Sequence, residues 1–256
     1  MTDFIEVSEL AGDRVSAEQV ERLCHRYYWA GEHCRDRDVL EVAVGSGAGL
    51  GYLARLARSV TGGDYSRPIL ERVKAHYGDR VALQEFDAQA MPFDDASFDV
   101  VVMFEALYFV PSPERFADEC RRVLRPGGEV LIATANPDLY DFNPAPHSSR
   151  YLGARDLTQL FAARGFSVCC YGYMRTDRAS MRQRVLRPVK KAAVAMDLIP
   201  KTMAGKALLK RIVFGRMMEM PAEIAPGTVP YSPPGALLPG QPDRIHKVVY
   251  CRATLS

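Results

Sequence analysis

The sequence predicts a doubly wound α/β domain, on three observations. Apolar, β-branched runs recur along the chain, helix-periodic segments separate them, and the first run leads into a loop with four glycines in seven residues, Gly45 to Gly51. Strands alternating with helices in this way are the pattern of a parallel sheet covered on both faces. The length of 256 residues, 48% of them hydrophobic, suits one substantial core with an insertion.

The first helix is expected at Ala17–His33, followed by a strand at Val39–Ala43 that delivers the chain to the glycine loop, and a helix at Gly51–Arg58. Strands at Ser59–Gly63 and Val81–Phe86 flank a helix at Ser66–Tyr77 with proline in its first turn. A fourth strand, Phe98–Phe104, precedes a helix at Pro113–Leu124; "RPGGE", Arg125 to Glu129, then stops the helix and turns into a strand at Glu129–Thr134. A helix at Ala154–Arg164 and strands at Phe166–Gly172 and His246–Thr254 complete seven strands. Asp94, Asp95 and Asp99 read as turn formers ahead of the fourth strand.

Composition excludes several classes. No run approaches the roughly 18 uninterrupted apolar residues of a membrane span, and the acidic start "MTDFIEVSELAGDR" lacks the layout of a secretory signal, so a cytoplasmic chain is expected. The six cysteines have no CxxC spacing, and neither a metal site nor a disulfide framework is expected.

The glycine loop sets the chemistry. In doubly wound sheets the first strand–helix turn makes the closest backbone approach to a ligand, and glycine allows both the sharp bend and that approach. Gly45, Gly47 and Gly51 also match a nicotinamide-type spacing. Three acids decide between ligands. Glu41, four residues before Gly45, would repel a pyrophosphate but can accept from an ammonium group. Asp64 closes the second strand, where a carboxylate can take both hydroxyls of a ribose. Asp87, after the third strand in "EFDAQAMPF", can meet an adenine amine, with Ala88 and Met91 against the ring.

With "LEVAVGSGAG", "GGDYS", "DAQAMPFDDASFDVVVMFEALYFV" and "RVLRPGGEVLIAT" in order, the chain from Tyr27 to Phe166 resembles the class I S-adenosylmethionine-dependent methyltransferases, in particular the small-molecule group typified by ubiquinone and menaquinone biosynthesis enzymes. The resemblance implies a Rossmann-like fold with an antiparallel last strand and S-adenosylmethionine as cofactor. It implies a methionine contact near Glu41 and Gly45, a ribose contact by Asp64 and adenine contacts by Asp87 and Ala88, with Tyr27, Ala43, Gly47, Tyr65 and Phe104 as further cofactor-binding residues. Ala43 stands where the family usually has glycine, which is tolerable if that residue keeps ordinary strand dihedrals. A shorter stretch, "CHRYYWAGEHCRDRDVLEVA", is similar to the lead-in helix of methyltransferases of polysaccharide and glycosylated natural-product synthesis, and implies that His25, Arg26 and Tyr27 line the cofactor's carboxylate side.

The catalytic candidates are Glu105 and Tyr108, after the fourth strand, and His147, in the long loop after the fifth. Each also has a structural reading: helix-start acid, packing residue and loop histidine respectively. Methyl transfer from a sulfonium needs little beyond in-line positioning, so a base is dispensable when the acceptor is already nucleophilic. The acceptor is expected to be a small molecule methylated on oxygen, less readily on nitrogen, and to be a saccharide, a glycosylated metabolite or a lipid-linked compound. A nicotinamide-dependent oxidoreductase is disfavoured by Glu41 and by the lack of a Tyr-x-x-x-Lys element, and a non-catalytic S-adenosylmethionine-binding protein is the remaining rival.

Three segments follow: a cofactor-binding core at 1–172, an insertion at 173–244 and a last core strand at 245–256. From Arg175 to Arg216 the insertion holds twelve Lys or Arg against Asp177 and Asp197, a net of +10, so the remainder of a chain of net +2 carries −8. Apolar residues at helical spacing among these lysines predict a basic helical lid, with contact to an anionic membrane surface or ligand as a second reading. Nucleic acid ranks last, since Phe214 is the only aromatic residue between Tyr173 and Tyr231. The run "PAEIAPGTVPYSPPGALLPGQP" reads as an extended surface loop.

Overall fold

A computed structural model describes residues 11–177 and 217–256. The order is β1 Arg14–Ser16, α1 Ala17–Cys34, β2 Asp38–Val42, α2 Leu50–Ala54, β3 Ser59–Asp64, α3 Arg67–Tyr77, β4 Ala82–Glu85, β5 Phe98–Phe104, α4 Pro113–Val123, β6 Leu124–Ala135, α5 Ala154–Ala162, β7 Phe166–Arg175, β8 Met217–Glu219, β9 Gly235–Ala236 and β10 His246–Leu255. The capping box of Ser16 and Gln19 starts α1, and Ser112 with Pro113 starts α4.

The main sheet runs β4-β3-β2-β5-β6-β10-β7-β9. Strands β2 to β6 pair in parallel, while β10 lies antiparallel between β6 and β7. After β2 the chain winds outward through β3 and β4, then returns to the other side of β2 as β5. The crevice beyond the carboxyl ends of β2 and β5 is therefore the switch point, where a ligand is expected. Strand alternation feeds two cores. Val100 and Val102 pack with Leu50, Leu53 and Val73 on the face carrying α1, α2 and α3; Val101 and Met103 pack with Phe116 and Leu157 on the face carrying α4 and α5.

The seven expected strands are β2 to β7 and β10. The expected helix Gly51–Arg58 is shortened to Leu50–Ala54, and β7 extends to Arg175. Two features are additional: the β9 edge strand, which is all the regular structure in the Pro-rich run, and a ribbon in which β1 pairs antiparallel with β8. The expected basic helices fall at 178–216, outside the described residues. Asp99 anchors Arg58 and Arg125, each at 2.8 Å, and accepts from the Asp38 N–H at the amino end of the sheet, opposite the crevice. Among the described residues no helix is long and apolar enough to cross a membrane.

Candidate active site at the strand ends

A cavity of about 600 Å³ lies over the carboxyl ends of β2 and β5. Its floor is the glycine loop. Gly45 and Gly47 take φ of +53° and +72°, where a side chain would be strained. Gly45, Ser46 and Ala48 line the cavity, whereas Gly47 faces the scaffold and its carbonyl accepts from the Tyr77 hydroxyl at 2.8 Å. Ala43 lines the cavity too, but the expectation of strand dihedrals fails: β2 ends at Val42, and Ala43 has φ +59°. Its methyl is accommodated in a left-handed conformation that disfavours any residue with a Cβ.

Tyr27 and Glu41 form a buried pair behind this floor. The Tyr27 hydroxyl donates to Glu41 Oε1, while Oε2 is buried without a hydrogen-bond partner among the described residues. Burial raises the Glu41 carboxyl to about 7, against the lowering effect of the Tyr27 hydrogen bond and the nearby Arg26 charge. The Tyr27 ring lines the cavity and stands edge-on to Phe104, with centroids 5.2 Å apart. It occupies the space where a Cβ on Gly49 would lie, only 1.9 Å from the ring. Glu41 itself does not line the cavity.

Asp64 is buried at the end of β3, accepting from the Ser66 N–H at 2.9 Å and the Gly45 N–H at 3.2 Å; desolvation raises its pKa against those hydrogen bonds. Tyr65 beside it is 51% exposed and also lines the cavity. Asp87 accepts from the Gln89 N–H at 2.8 Å and, with Ala88, forms the far wall.

At the opposite end Glu105 follows β5 with φ +51°. Its Oε1 accepts from Arg22 at 2.8 Å, with Arg26 at 3.6 Å, and its Oε2 accepts from the Ala135 N–H at 3.2 Å. Tyr108 also lines this end and stacks on Tyr151 with centroids 4.2 Å apart; burial and the neighbouring Glu105 push its phenol well up, so it stays protonated. Arg22, Gln89 and Met220 are lining residues that sequence reasoning missed. Arg22 and Arg26, one turn apart on α1, carried a signal; Met220, within the insertion, carried none.

Two expectations do not hold. His147 is exposed in its loop and does not line the cavity. His25 turns into the core: Nδ1 bonds the Tyr250 hydroxyl at 2.8 Å, Nε2 meets the Ser232 carbonyl at 2.7 Å, and the ring stacks on Tyr173. Burial lowers it to about 4, so it is a neutral packing residue.

The unmatched Glu41 acceptor, the bare glycine floor, and the acids at the ends of β3 and β4 fit S-adenosylmethionine, which offers an ammonium group, a ribose and an adenine. Residues 40–132 match the family model described as a methyltransferase domain, and the fold is Rossmann-like. Among curated proteins it is 38% identical over 154 residues to a probable S-adenosylmethionine-dependent methyltransferase of Mycolicibacterium smegmatis, covering 58% of this chain and 56% of that one. It is 40% identical over 107 residues to the phthiotriol/phenolphthiotriol dimycocerosates methyltransferase of Mycobacterium tuberculosis, covering 40% of this chain and 39% of the relative. The chain thus spans about half the length, or less, of the curated relatives it matches. A possible histamine N-methyltransferase from Thermotoga maritima shares the fold, with a TM-score of 0.59 at 15% identity over 93% of this chain and 92% of that one.

Proposed function

We propose that the protein transfers a methyl group from S-adenosylmethionine to an oxygen, and less readily a nitrogen, of a small-molecule acceptor. One observation carries this reading: a single cavity of about 600 Å³ is lined by Asp64 and Asp87, the glycine loop, and Glu105, Tyr108 and Met220. The cofactor would supply a methyl activated on a sulfonium sulfur. Glu41, held by Tyr27 behind the glycine floor, sets a negative charge near the ammonium group; Asp64 takes the ribose hydroxyls; Asp87 and Ala88 hold the adenine. Glu105, Tyr108 and the two arginines orient the acceptor, and Phe104 and Met220 exclude water from the transfer. Relatives named for phthiotriol/phenolphthiotriol dimycocerosates and for demethylmenaquinone support a small-molecule acceptor. With His25 in the core, nothing lining the cavity singles out a saccharide. Contact of the basic 175–216 segment with an anionic surface or ligand belongs to the same reading.

Asp64→Ala and Asp87→Ala should each weaken S-adenosylmethionine binding about ten- to a hundredfold by calorimetric titration while the circular dichroism stays unchanged. Wild-type affinity in either variant would remove that residue from the site. Tight binding of NAD(H) in place of S-adenosylmethionine would replace the reading with an oxidoreductase.

A further inference from the structure

Among the described residues the acceptor end of the cavity holds donors and cations, and its one carboxylate, Glu105, is already engaged. All five histidines of the chain can be located: His25 is in the core, His33 faces Glu129, His76 faces Glu223, His147 is exposed away from the cavity and His246 is held by Asp243. None lines the cavity, and among the described residues neither does any lysine or cysteine. Asp64 and Asp87 are occupied by backbone N–H groups toward the end proposed for ribose and adenine. Tyr108 stays protonated and is a donor. Glu105, the remaining lining carboxylate, accepts from Arg22 and the Ala135 N–H, so a proton arriving there would displace one of those contacts. Around it Arg22 and Arg26 set two guanidinium groups against one carboxylate, with only 27% and 16% of their side chains accessible.

An alcohol must lose its proton as it attacks, and without an acceptor for that proton the attack is slow. An oxygen that is anionic before binding needs none, and it is drawn to a half-buried cationic wall. We propose that the acceptor is an acid bound as its conjugate base, a carboxylate or an ionised phenol or enol, and that Arg22 recognises its charge. The inference rests on the methyltransferase reading above and narrows its acceptor. In the step, a lone pair of the anionic oxygen forms the new O–C bond, the C–S bond breaks, and its electron pair returns to sulfur. The products are a neutral methyl ester or ether and the neutral thioether S-adenosylhomocysteine, with no proton transferred. Oxyanion and sulfonium charges cancel, which a poorly solvated cavity favours.

The test uses two probes of one shape, 4-phenylbutyrate and 4-phenylbutanol, titrated into the full chain saturated with sinefungin, in which an amine-bearing carbon replaces the methylated sulfur. The acid should bind at least about tenfold more tightly than the alcohol. Arg22→Gln should erase that preference by weakening the acid much more than the alcohol, and Arg22→Lys, which keeps the charge, should restore part of it. Equal binding of the two probes, tighter binding of the alcohol, no binding of either, or a preference untouched by Arg22→Gln would each overturn the assignment. Failure to bind sinefungin or S-adenosylmethionine at all would instead strike the methyltransferase reading.

Discussion

Glu41 shows what a single buried carboxylate does in a site built for a cation. It is 1% exposed, with one oxygen satisfied by Tyr27 and the other unpartnered, and its carboxyl is raised from 4.5 to about 7. Since the folded value lies above the unfolded one, Glu41 costs the cofactor-free protein nothing below about pH 4.5. The cost grows as pH rises and is complete above about 7, reaching on the order of 3 to 3.5 kcal/mol at roughly 1.4 kcal/mol per pKa unit. Glu41→Gln should therefore raise the denaturant midpoint at pH 8 and leave it nearly unchanged at pH 4.5, while S-adenosylmethionine binding weakens at pH 8; an equal shift at both pH values would contradict this. Ala43 offers a second check. With φ +59° it is held where a Cβ costs about 1 kcal/mol, so Ala43→Gly should stabilise by about 0.5–1 kcal/mol in urea. A loss of stability would show that the methyl contributes packing worth more than the strain. Residue types and spacing disclosed the acids, but not that Ala43 would be left-handed or that Glu41 would sit behind the cavity rather than in it.

Among the elements, α1 does the most to assemble the site, because one helix places Tyr27 against the glycine loop and Arg22 and Arg26 beside Glu105. The contact is close enough that Gly49 is required by its neighbour: an added Cβ would lie 1.9 to 2.3 Å from three atoms of the Tyr27 ring. Gly49→Ala should destabilise by about 1–3 kcal/mol and weaken cofactor binding, because the ring and its bond to Glu41 must shift. Combined with Tyr27→Ala, the same change should cost much less, and strict additivity of the two would refute the interlock. The strands and this helix were legible because period-2 and period-3.6 patterns are local. The β1–β8 ribbon was not: each partner has three residues, and the pair joins Arg14 to Glu219 across most of the chain. The strap after it was equally hidden, although Ile224 donates to the Ala48 carbonyl at 2.8 Å and Glu223 binds Arg80 and His76. His147 misled because a histidine in a loop above the strand ends has no local feature that says which way the loop turns.

On the scale of the whole molecule, charge is distributed as unevenly as function. Residues 175–216 carry +10 and the remainder −8, so a net of +2 conceals two opposed fields. The acids of the core are largely committed inside it: Asp38 and Asp99 to Arg58 and Arg125, Glu129 to Arg37, Glu223 to Arg80. These pairs are internal to the remainder and leave its net of −8 unchanged. The basic segment, which contains only two acids of its own, has far less to neutralise it within its own sequence. A basic segment near an anionic bilayer gains about 1 kcal/mol for each Lys or Arg close to the surface, an attraction that fades beyond a Debye length of roughly 8 Å at physiological salt. The full chain should consequently co-sediment with phosphatidylglycerol-containing vesicles and not with phosphatidylcholine vesicles. Binding should fall as salt is raised from 50 to 500 mM, and replacing Lys190, Lys191, Lys210 and Arg211 by Gln should weaken it at least tenfold at low salt while leaving S-adenosylmethionine affinity unchanged. If the wild-type chain binds neither kind of vesicle, the charge serves solubility or an anionic acceptor; the four-residue variant then separates those two, because only the second predicts a higher apparent Michaelis constant for the acceptor.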